Sequence, residues 1–261
     1  MKRGFAIAAA LLLLGTSCGR DKDPYADWKA SQLLDEGEKT LRTNDLSGAY
    51  NFFKRGLAKA DKTGPRGDQT QIFTVRMLYI LAAQQNLAEL EKAFARGGGA
   101  ESPTMDLRIA LQLAILMQRA GRFDDARALA EKIAVRLAAR APELEEIPFH
   151  AIGWIVVDRV RSANVELTRA KAASDSFVAA FSAIAETAIG TRQALNPGLR
   201  PWITRYLDHL YDSERTLVAQ QIADLVERID QVAPPSDDKN ACLLLDPVFP
   251  TLGCLADWPT K

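Results

Sequence analysis

The stretch LRIALQLAILMQRAGRFDDARALAEKIAVRLAARAP, residues 107–142, decides the fold of this chain. Apolar residues recur every three or four positions on both sides of Gly121, and most of the others are strong helix formers such as Ala, Arg and Glu. Gly121 interrupts the pattern, and Pro142 follows its last turn. The stretch therefore predicts two helices that are joined by a tight turn at Gly121.

Residues 31–65 follow the same plan. They place Gly37 in a first helix, a turn at Asn44 and Asp45, and Ala49 and Phe53 in a second helix. A weaker copy has its turn near Asn86, and its second helix carries Leu87, Leu90 and Phe94. Successive turns lie 41 and 36 residues apart (Asp45, Asn86 and Arg122), which is a spacing typical of repeated helical pairs.

These offsets resemble the tetratricopeptide repeat, most specifically in AGRFDDARALAEKI, residues 120–133. The resemblance covers about residues 27–142 and implies a solenoid of helical hairpins. In that family, a small residue of the first helix meets a small residue early in the second, and an aromatic residue four positions later fills the gap. The alternative is an irregular helical bundle with coincidental spacing.

The chain beyond residue 142 continues to predict helices, so the predicted fold is all-α. Residues 143–232 form divergent repeats or a helical cap, with apolar stripes over 145–172, 174–191, 198–211 and 213–232. The last two stripes are expected to form a hairpin that covers the end of the core. Residues 233–261 contain prolines and polar residues and predict an irregular tail.

Residues 1–17 have the pattern of a signal peptide, with Lys2 and Arg3 before an apolar run at 4–14. That run is too short to cross a bilayer as a helix. The small residues before Cys18 resemble a bacterial lipobox, which implies a lipidated Cys18 and a tether at 18–26. Ordinary cleavage after Ser17 and an uncleaved anchor are the alternatives.

The chain has three cysteines, so lipidation of Cys18 leaves Cys242 and Cys254 as a pair. They bracket LLLDPVFPTLG, a segment whose prolines and glycine allow the chain to turn back. In an oxidising compartment we expect a disulfide that closes this loop, worth about 3 kcal/mol in the chain-entropy treatment. The alternative is two buried thiols.

The sequence carries 33 basic and 33 acidic residues, which gives no positive excess for nucleic-acid binding. If residues 1–17 are removed, Lys2 and Arg3 are lost and the net charge becomes −2. Gly19 stands where inner-membrane lipoproteins tend to carry Asp, and by family resemblance this predicts an outer-membrane anchor facing the periplasm. A secreted or soluble periplasmic protein is the alternative.

Catalytic motifs are absent from the sequence: it has no Gly-x-Ser-x-Gly, no phosphate-binding Gly-rich loop and no His-Glu-x-x-His. His150 and His209 fall on different predicted helices, and neither has a second ligand at metal spacing. We interpret His209, with Asp208, Asp212 and Glu214 nearby, as part of a solvated helix face. The sequence therefore predicts no catalytic residue, no cofactor and no metal site.

The repeat resemblance implies that the first helices line a groove for a peptide or a partner helix. We expect the polar groove residues to bind the partner, namely Glu38, Arg42, Tyr79, Arg108 and Arg119. The apolar residues implied for the same groove are Leu34, Leu41, Val75, Ala82, Leu111 and Ile115. Arginines beside apolar side chains suit an acidic group or a terminal carboxylate. Alternatively, Val75, Leu111 and Ile115 belong to the core.

These observations favour a scaffold or assembly factor that binds an envelope protein of unknown identity and is not an enzyme. The alternative is a helical ligand-binding or enzymatic periplasmic domain whose substrate is unknown. The two differ in the site they need, because a scaffold requires a continuous groove and an enzyme a closed cleft with a perturbed acid or base.

Overall fold

The computed structural model describes residues 24–60, 68–103, 105–139 and 142–235, and within these ranges the protein is all-helical, with no strand, as the periodicity predicts. Three short 3₁₀ helices, Gly99–Glu101, Leu144–Glu146 and Pro197–Leu199, lie between the longer elements. The α-helices are α1 Ala30–Arg42, α2 Leu46–Ala60, α3 Asp68–Ala83, α4 Leu87–Arg96, α5 Leu107–Arg119, α6 Phe123–Ala138, α7 Ile147–Ser162, α8 Leu167–Thr191, α9 Arg200–Asp212 and α10 Thr216–Val232.

The helices pack mainly against their neighbours in the chain. Each odd-numbered helix packs on the even-numbered helix that follows it, which gives five hairpins. Consecutive hairpins meet where α2 packs on α3, α4 on α5 and α6 on α7, and α5 also contacts both α3 and α7. The last junction differs, because α10 packs on α8 while α9 touches α7.

Four of the hairpins turn through the same backbone motif. A residue with a positive φ follows the first helix, and the next residue donates its N–H to a carbonyl five positions earlier, which satisfies one of the orphan carbonyls at the helix end. The positive-φ residues are Asn44, Gln85, Gly121 and Glu214, and the hydrogen bonds run from Asp45 to Thr40, Asn86 to Leu81, Arg122 to Met117 and Arg215 to Leu210. The first three turns lie where the sequence predicts them.

Glycines in the first two hairpins allow aromatic rings to approach a helix backbone. A Cβ placed on Gly37 of α1 would lie 2.4 Å from the ring of Phe53 on α2, and one on Gly56 would lie 2.3 Å from the ring of Phe73 on α3. Both rings are fully buried. Glycine at these two positions is therefore required by packing, since any larger residue would overlap a ring.

The predicted helix at 145–172 is wrong, because the chain breaks at residues 163–166 and forms α7 and α8 instead. Asn164 adopts a left-handed φ of 53°, and Ala163 and Glu166 are extended. The break is only four residues long, and Val165 and Leu167 continue the apolar spacing across it, so periodicity alone does not reveal it. The helices predicted at 198–211 and 213–232 are present as α9 and α10.

The core is centred on α5 and α7. Every side chain from 109 to 118 and from 151 to 160 is buried, so both helices are covered on all sides. The outer helices each bury one stripe only, for example Leu33, Gly37 and Leu41 on α1. In the described residues, the central helices α5 and α7 are thus covered on more sides than the helices of an open two-layer array would be.

Candidate functional site

Tyr79 of α3 and Arg108 of α5, which the sequence assigns to one groove, are brought together by Asp106. The Tyr79 hydroxyl donates a hydrogen bond to Oδ2 of Asp106 at 2.5 Å. Arg108 donates from Nε to the same oxygen at 3.0 Å and from its backbone N–H to Oδ1 at 2.9 Å. The guanidinium carbon of Arg108 also lies 5.5 Å from the centre of the Tyr79 ring, within cation–π range. These contacts join the middle of α3 to the start of α5.

Asp106 is the N-cap of α5, and it stays ionised despite its partial burial. Burial alone would raise the pKa of its carboxyl, but hydrogen bonds from Arg108 and Tyr79 outweigh that effect and hold the pKa below its ordinary value. The carboxylate therefore neutralises Arg108 from within the same helix. Arg108 acts here as half of an ion pair, with its charge already balanced.

A second polar contact joins α1 to α3. Arg76 donates from Nε to Oε1 of Glu38 at 2.6 Å, and both side chains are about one-third exposed. Arg76 and Tyr79 are three residues apart and share a face of α3. The Glu38–Arg76 pair and the Tyr79–Asp106–Arg108 contacts thus follow one another across three successive first helices.

Beside these contacts lies an open depression of about 400 Å³ lined by Gln71, Ile72, Val75 and Arg76 of α3. Ile72 is 41 % exposed, and Val75 is half-buried. Exposed aliphatic side chains next to paired charges are the mixture found at protein interfaces. We call Glu38, Ile72, Val75, Arg76 and Arg108 the first-helix face, beneath which the buried Tyr79 contacts Asp106.

The other implied groove residues are spread more widely. Arg42 is exposed at the end of α1, Leu34 is half-buried near the start of the same helix, and Arg119 is half-buried at the far end of α5. The core contains Leu41, Ala82, Leu111 and Ile115, and also Tyr79, which was expected to face the groove. Of the implied partner-binding residues, Glu38, Arg108 and Arg119 are half-buried and Arg42 is exposed, whereas Tyr79 is buried with 4 % of its surface exposed.

Sequence reasoning missed Arg76 and Asp106, which make both cross-helix contacts. Asp106 directly precedes an apolar-periodic run, which is the usual signature of an N-cap, and that signal could have been used. Arg76 has no such signal, because its partner Glu38 is 38 positions away in the chain.

A cluster of polar groups that the sequence did not reveal lies between the last two hairpins. Arg215, just before α10, donates from Nη1 to Asp158 at 3.0 Å and to the Ser174 hydroxyl at 2.6 Å, and both charged side chains are 1 % exposed. The hydroxyl of Ser174 donates in turn to the other oxygen of Asp158 at 3.0 Å. We call Asp158, Ser174, His209 and Arg215 the interior ion cluster.

His209 was expected on a solvated face with nearby carboxylates, and this expectation is wrong. Its Nε2 accepts a hydrogen bond from Nη2 of Arg215 at 2.8 Å, so the imidazole faces the interior. Burial, then the charges of Arg159 and Arg215, lower the pKa of His209 to about 3. Because a guanidinium can only donate, Nε2 must be the unprotonated nitrogen and Nδ1 carries the proton.

Other groups near the interior ion cluster are shifted in the same sense, away from their charged forms. Burial, followed by the charge of Asp158, raises the pKa of the Tyr206 hydroxyl well above its ordinary value. Burial also lowers the pKa of Arg159 to about 10. Two cavities of the described residues lie away from the cluster: one of about 430 Å³ lies between the Gly121 and Asn164 turns, and one of about 160 Å³ is lined by residues of 145–148 and 193–196. The cluster therefore acts as an internal connection between α7, α8, α9 and the start of α10.

Three predicted sites, Cys18, Cys242 and Cys254, lie outside the described residues. Within residues 24–60, 68–103, 105–139 and 142–235, no helix combines the length and apolarity needed to cross a membrane. The same ranges hold no group of three or more His, Cys, Asp or Glu side chains that is placed to hold a metal ion.

Comparison with known proteins found no matching family model, no matching curated protein and no matching solved structure.

Proposed function

We propose that this protein is a tetratricopeptide-like lipoprotein of the bacterial envelope, which holds a partner protein on the first-helix face. The repeated hairpins support the array. Four of them turn through one backbone motif, and the first four hairpins pack in chain order. The close approach of the buried Phe53 ring to Gly37, beside the buried Ala49, supports the resemblance to the small and aromatic positions of the repeat family. In this view α9 and α10 form the cap that covers the last core face.

The observation that carries the function is the continuity of the first-helix face across α1, α3 and α5. Glu38–Arg76 and Tyr79–Asp106–Arg108 fix the polar side chains in place, which lowers the entropy that binding would otherwise remove. Ile72 and Val75 supply apolar area between the fixed charges. The partner that fits this surface best is a helix or extended peptide with apolar residues and an acidic group. The acidic group would contact Arg42.

The test replaces Ile72 with Asp and compares it with Val135→Asp. Both residues are exposed and β-branched, but Val135 is on the second helix of its hairpin, α6, and is 72 % exposed. After in-cell crosslinking and detergent extraction of the envelope, the Ile72→Asp protein should lose its co-purifying partner while the Val135→Asp protein retains it. Both should melt close to the wild type, because exposed substitutions usually change stability by less than about 0.5 kcal/mol. Equal recovery of the partner by both folded variants would rule out the first-helix face.

Membrane anchoring is the second part of the proposal and is independent of the face. It is supported by the charged start, the short apolar run and the small residues that precede Cys18. A single acyl chain binds a bilayer weakly, so a stable anchor requires two or three chains on this residue. Residues 19–24 then connect the anchor to the helical body.

A further inference from the structure

The described chain begins with a segment that is firmly attached to the first hairpin. The ammonium group of Lys59, near the end of α2, donates to the backbone carbonyls of Tyr25 at 3.1 Å and Ala26 at 2.8 Å, and also to that of Trp28. Three carbonyl acceptors satisfy all three donors of an ammonium group. Residues 25–28 are therefore fixed on α2 before α1 begins.

Three aromatic rings gather where this segment meets α2. The ring centre of Tyr25 lies 4.9 Å from that of Trp28 and 5.1 Å from that of Phe52, and the rings of Trp28 and Phe52 are stacked with their centres 6.4 Å apart. All three side chains are half-buried and keep part of their surface exposed. We call Tyr25, Trp28 and Phe52 the aromatic face.

A positive charge lies against the aromatic face. Arg55 lies one turn along α2 from Phe52, with its guanidinium carbon 5.2 Å from the centre of the Tyr25 ring. Segments 24–29 and 51–60 together carry four cations and a single carboxylate, and the cations at Lys29, Lys54 and Arg55 are exposed. Tyr and Trp with flanking Lys and Arg is the composition that proteins place at the level of lipid headgroups.

The chain length supplies the remaining constraint. Cys18 and Tyr25 are seven residue steps apart, and at about 3.5 Å per step the chain between them can span no more than about 25 Å. A lipid on Cys18 would thus hold the aromatic face close to the bilayer surface, whatever the conformation of residues 19–24.

Building on the lipid anchor of the proposed function, we infer that the aromatic face rests on the bilayer, with its rings at headgroup level and Arg55 against an anionic lipid phosphate. This contact makes the α1–α2 hairpin the membrane end of the protein. It also gives the first-helix face a defined direction relative to the membrane.

The test is quenching of tryptophan fluorescence by brominated anionic lipid. A Trp258→Phe background leaves Trp28, Trp154 and Trp202, of which the last two are buried. The acylated protein is reconstituted in vesicles of brominated phosphatidylglycerol, and the Trp28→Phe version of the background gives the contribution of Trp28 by difference. The matched control adds Tyr211→Trp to that version, which places an exposed indole near the last hairpin turn, since Tyr211 is 47 % exposed.

We expect several-fold stronger quenching of Trp28 than of the indole at position 211. Equal quenching of the two, or an unquenched Trp28 in acylated protein, would overturn the inference. The mass of the amino-terminal peptide reports acylation separately, so an unacylated chain would contradict the proposed anchor. In that case the same vesicle measurement is made with Cys18 coupled to a maleimide-bearing lipid, in a Cys242→Ser and Cys254→Ser background, and the two criteria for the aromatic face still apply.

Discussion

Gly121 and Gly190 both have open space where a Cβ would be, but they differ in backbone conformation. A Cβ at either position would meet no atom within 4 Å, but Gly121 has a φ of +75° in the third hairpin turn while Gly190 lies inside α8. The difference between them is therefore purely conformational.

We predict that Gly121→Ala lowers the free energy of unfolding by about 1–2 kcal/mol, the cost of a left-handed alanine. Gly190→Ala, in the last turn of α8, should raise it by up to about 0.5 kcal/mol, because alanine favours the helix and restricts the unfolded chain. Urea unfolding of both variants measures this. Destabilisation of similar size at both positions would show that packing, rather than φ, decides the cost at Gly121.

His209 predicts a pH dependence of stability. Its pKa in the folded protein is about 3, below the ordinary value of 6.5, so below pH 6.5 the unfolded chain takes up a proton that the folded one does not. Stability from this residue is complete above pH 6.5 and is lost as the pH falls towards 3.

The variant His209→Gln keeps an acceptor for Arg215 and removes the titration. Between pH 7 and pH 4.5 it should lose about 2 kcal/mol less free energy of unfolding than the wild type. Urea unfolding at the two pH values gives the comparison. Measurements between pH 7 and pH 8.5 serve as the control, because the free energy of unfolding should change equally in the two proteins there. An unchanged loss on acidification would mean that His209 is protonated in the folded protein.

At the level of helices, the interior ion cluster stabilises the packing of the last two hairpins against each other. Arg215→Met would leave the Asp158 carboxylate buried without its cation, which typically costs about 3–5 kcal/mol. The matched control is Arg228→Met, because Arg228 of α10 pairs with Glu186 of α8 at 2.8 Å with both side chains at least half exposed. An exposed pair is worth only about 0–1 kcal/mol.

In guanidinium chloride unfolding, the loss in free energy of unfolding should therefore be several-fold larger for Arg215→Met than for Arg228→Met. The double variant Asp158→Leu with Arg215→Met should recover most of the loss, since it removes both charges. A loss for Arg215→Met no greater than that for Arg228→Met would show that Asp158 is solvated or paired in another way.

The sequence predicts local features of this protein well and long-range ones poorly. Gly121, Asn44 and the turn near Asn86 are found because a turn leaves its mark within a few residues. Asp158 and Arg215 are 57 positions apart, and neither belongs to a pattern that indicates burial, so their pairing is visible only in three dimensions. His209 was assigned to solvent from its neighbours in sequence, whereas the direction of its side chain is set by Arg215.

The candidate site shows the same limit. Tyr79 and Arg108 follow from the offsets of the repeat, but Asp106, which neutralises the arginine, changes what the pair can offer to a partner. Leu111 and Ile115 satisfy the same offsets and are buried, because α5 is covered on all sides. Repeat spacing locates a helix face, and the neighbouring helices decide whether that face is open.

For the whole molecule, the anchor is tested by replacing Cys18 with Ser. We expect the variant to remain unprocessed or to be released as a soluble protein, and to take up no radioactive fatty acid during metabolic labelling. The wild-type chain, grown in parallel, should be labelled. Equal labelling of the two proteins would show that Cys18 is not the acylated residue.

The pairing of Cys242 with Cys254 is a separate prediction about the carboxyl-terminal region. Protein isolated from the envelope should offer neither thiol to an alkylating reagent until it is reduced. The reduced and alkylated protein provides the reference for complete labelling. If both cysteines react fully without a reductant, the disulfide is absent.

The left-handed turns have an electrical consequence for the assembled protein. Each turn reverses the chain, so the negative carboxyl end of one helix dipole lies beside the positive amino end of the next. Within the four described hairpins that share this turn, the two dipoles oppose each other and cancel in part. The surface potential of a membrane then exerts little torque on the backbone of these helix pairs. Any electrostatic torque that orients the protein acts mainly through its charged side chains.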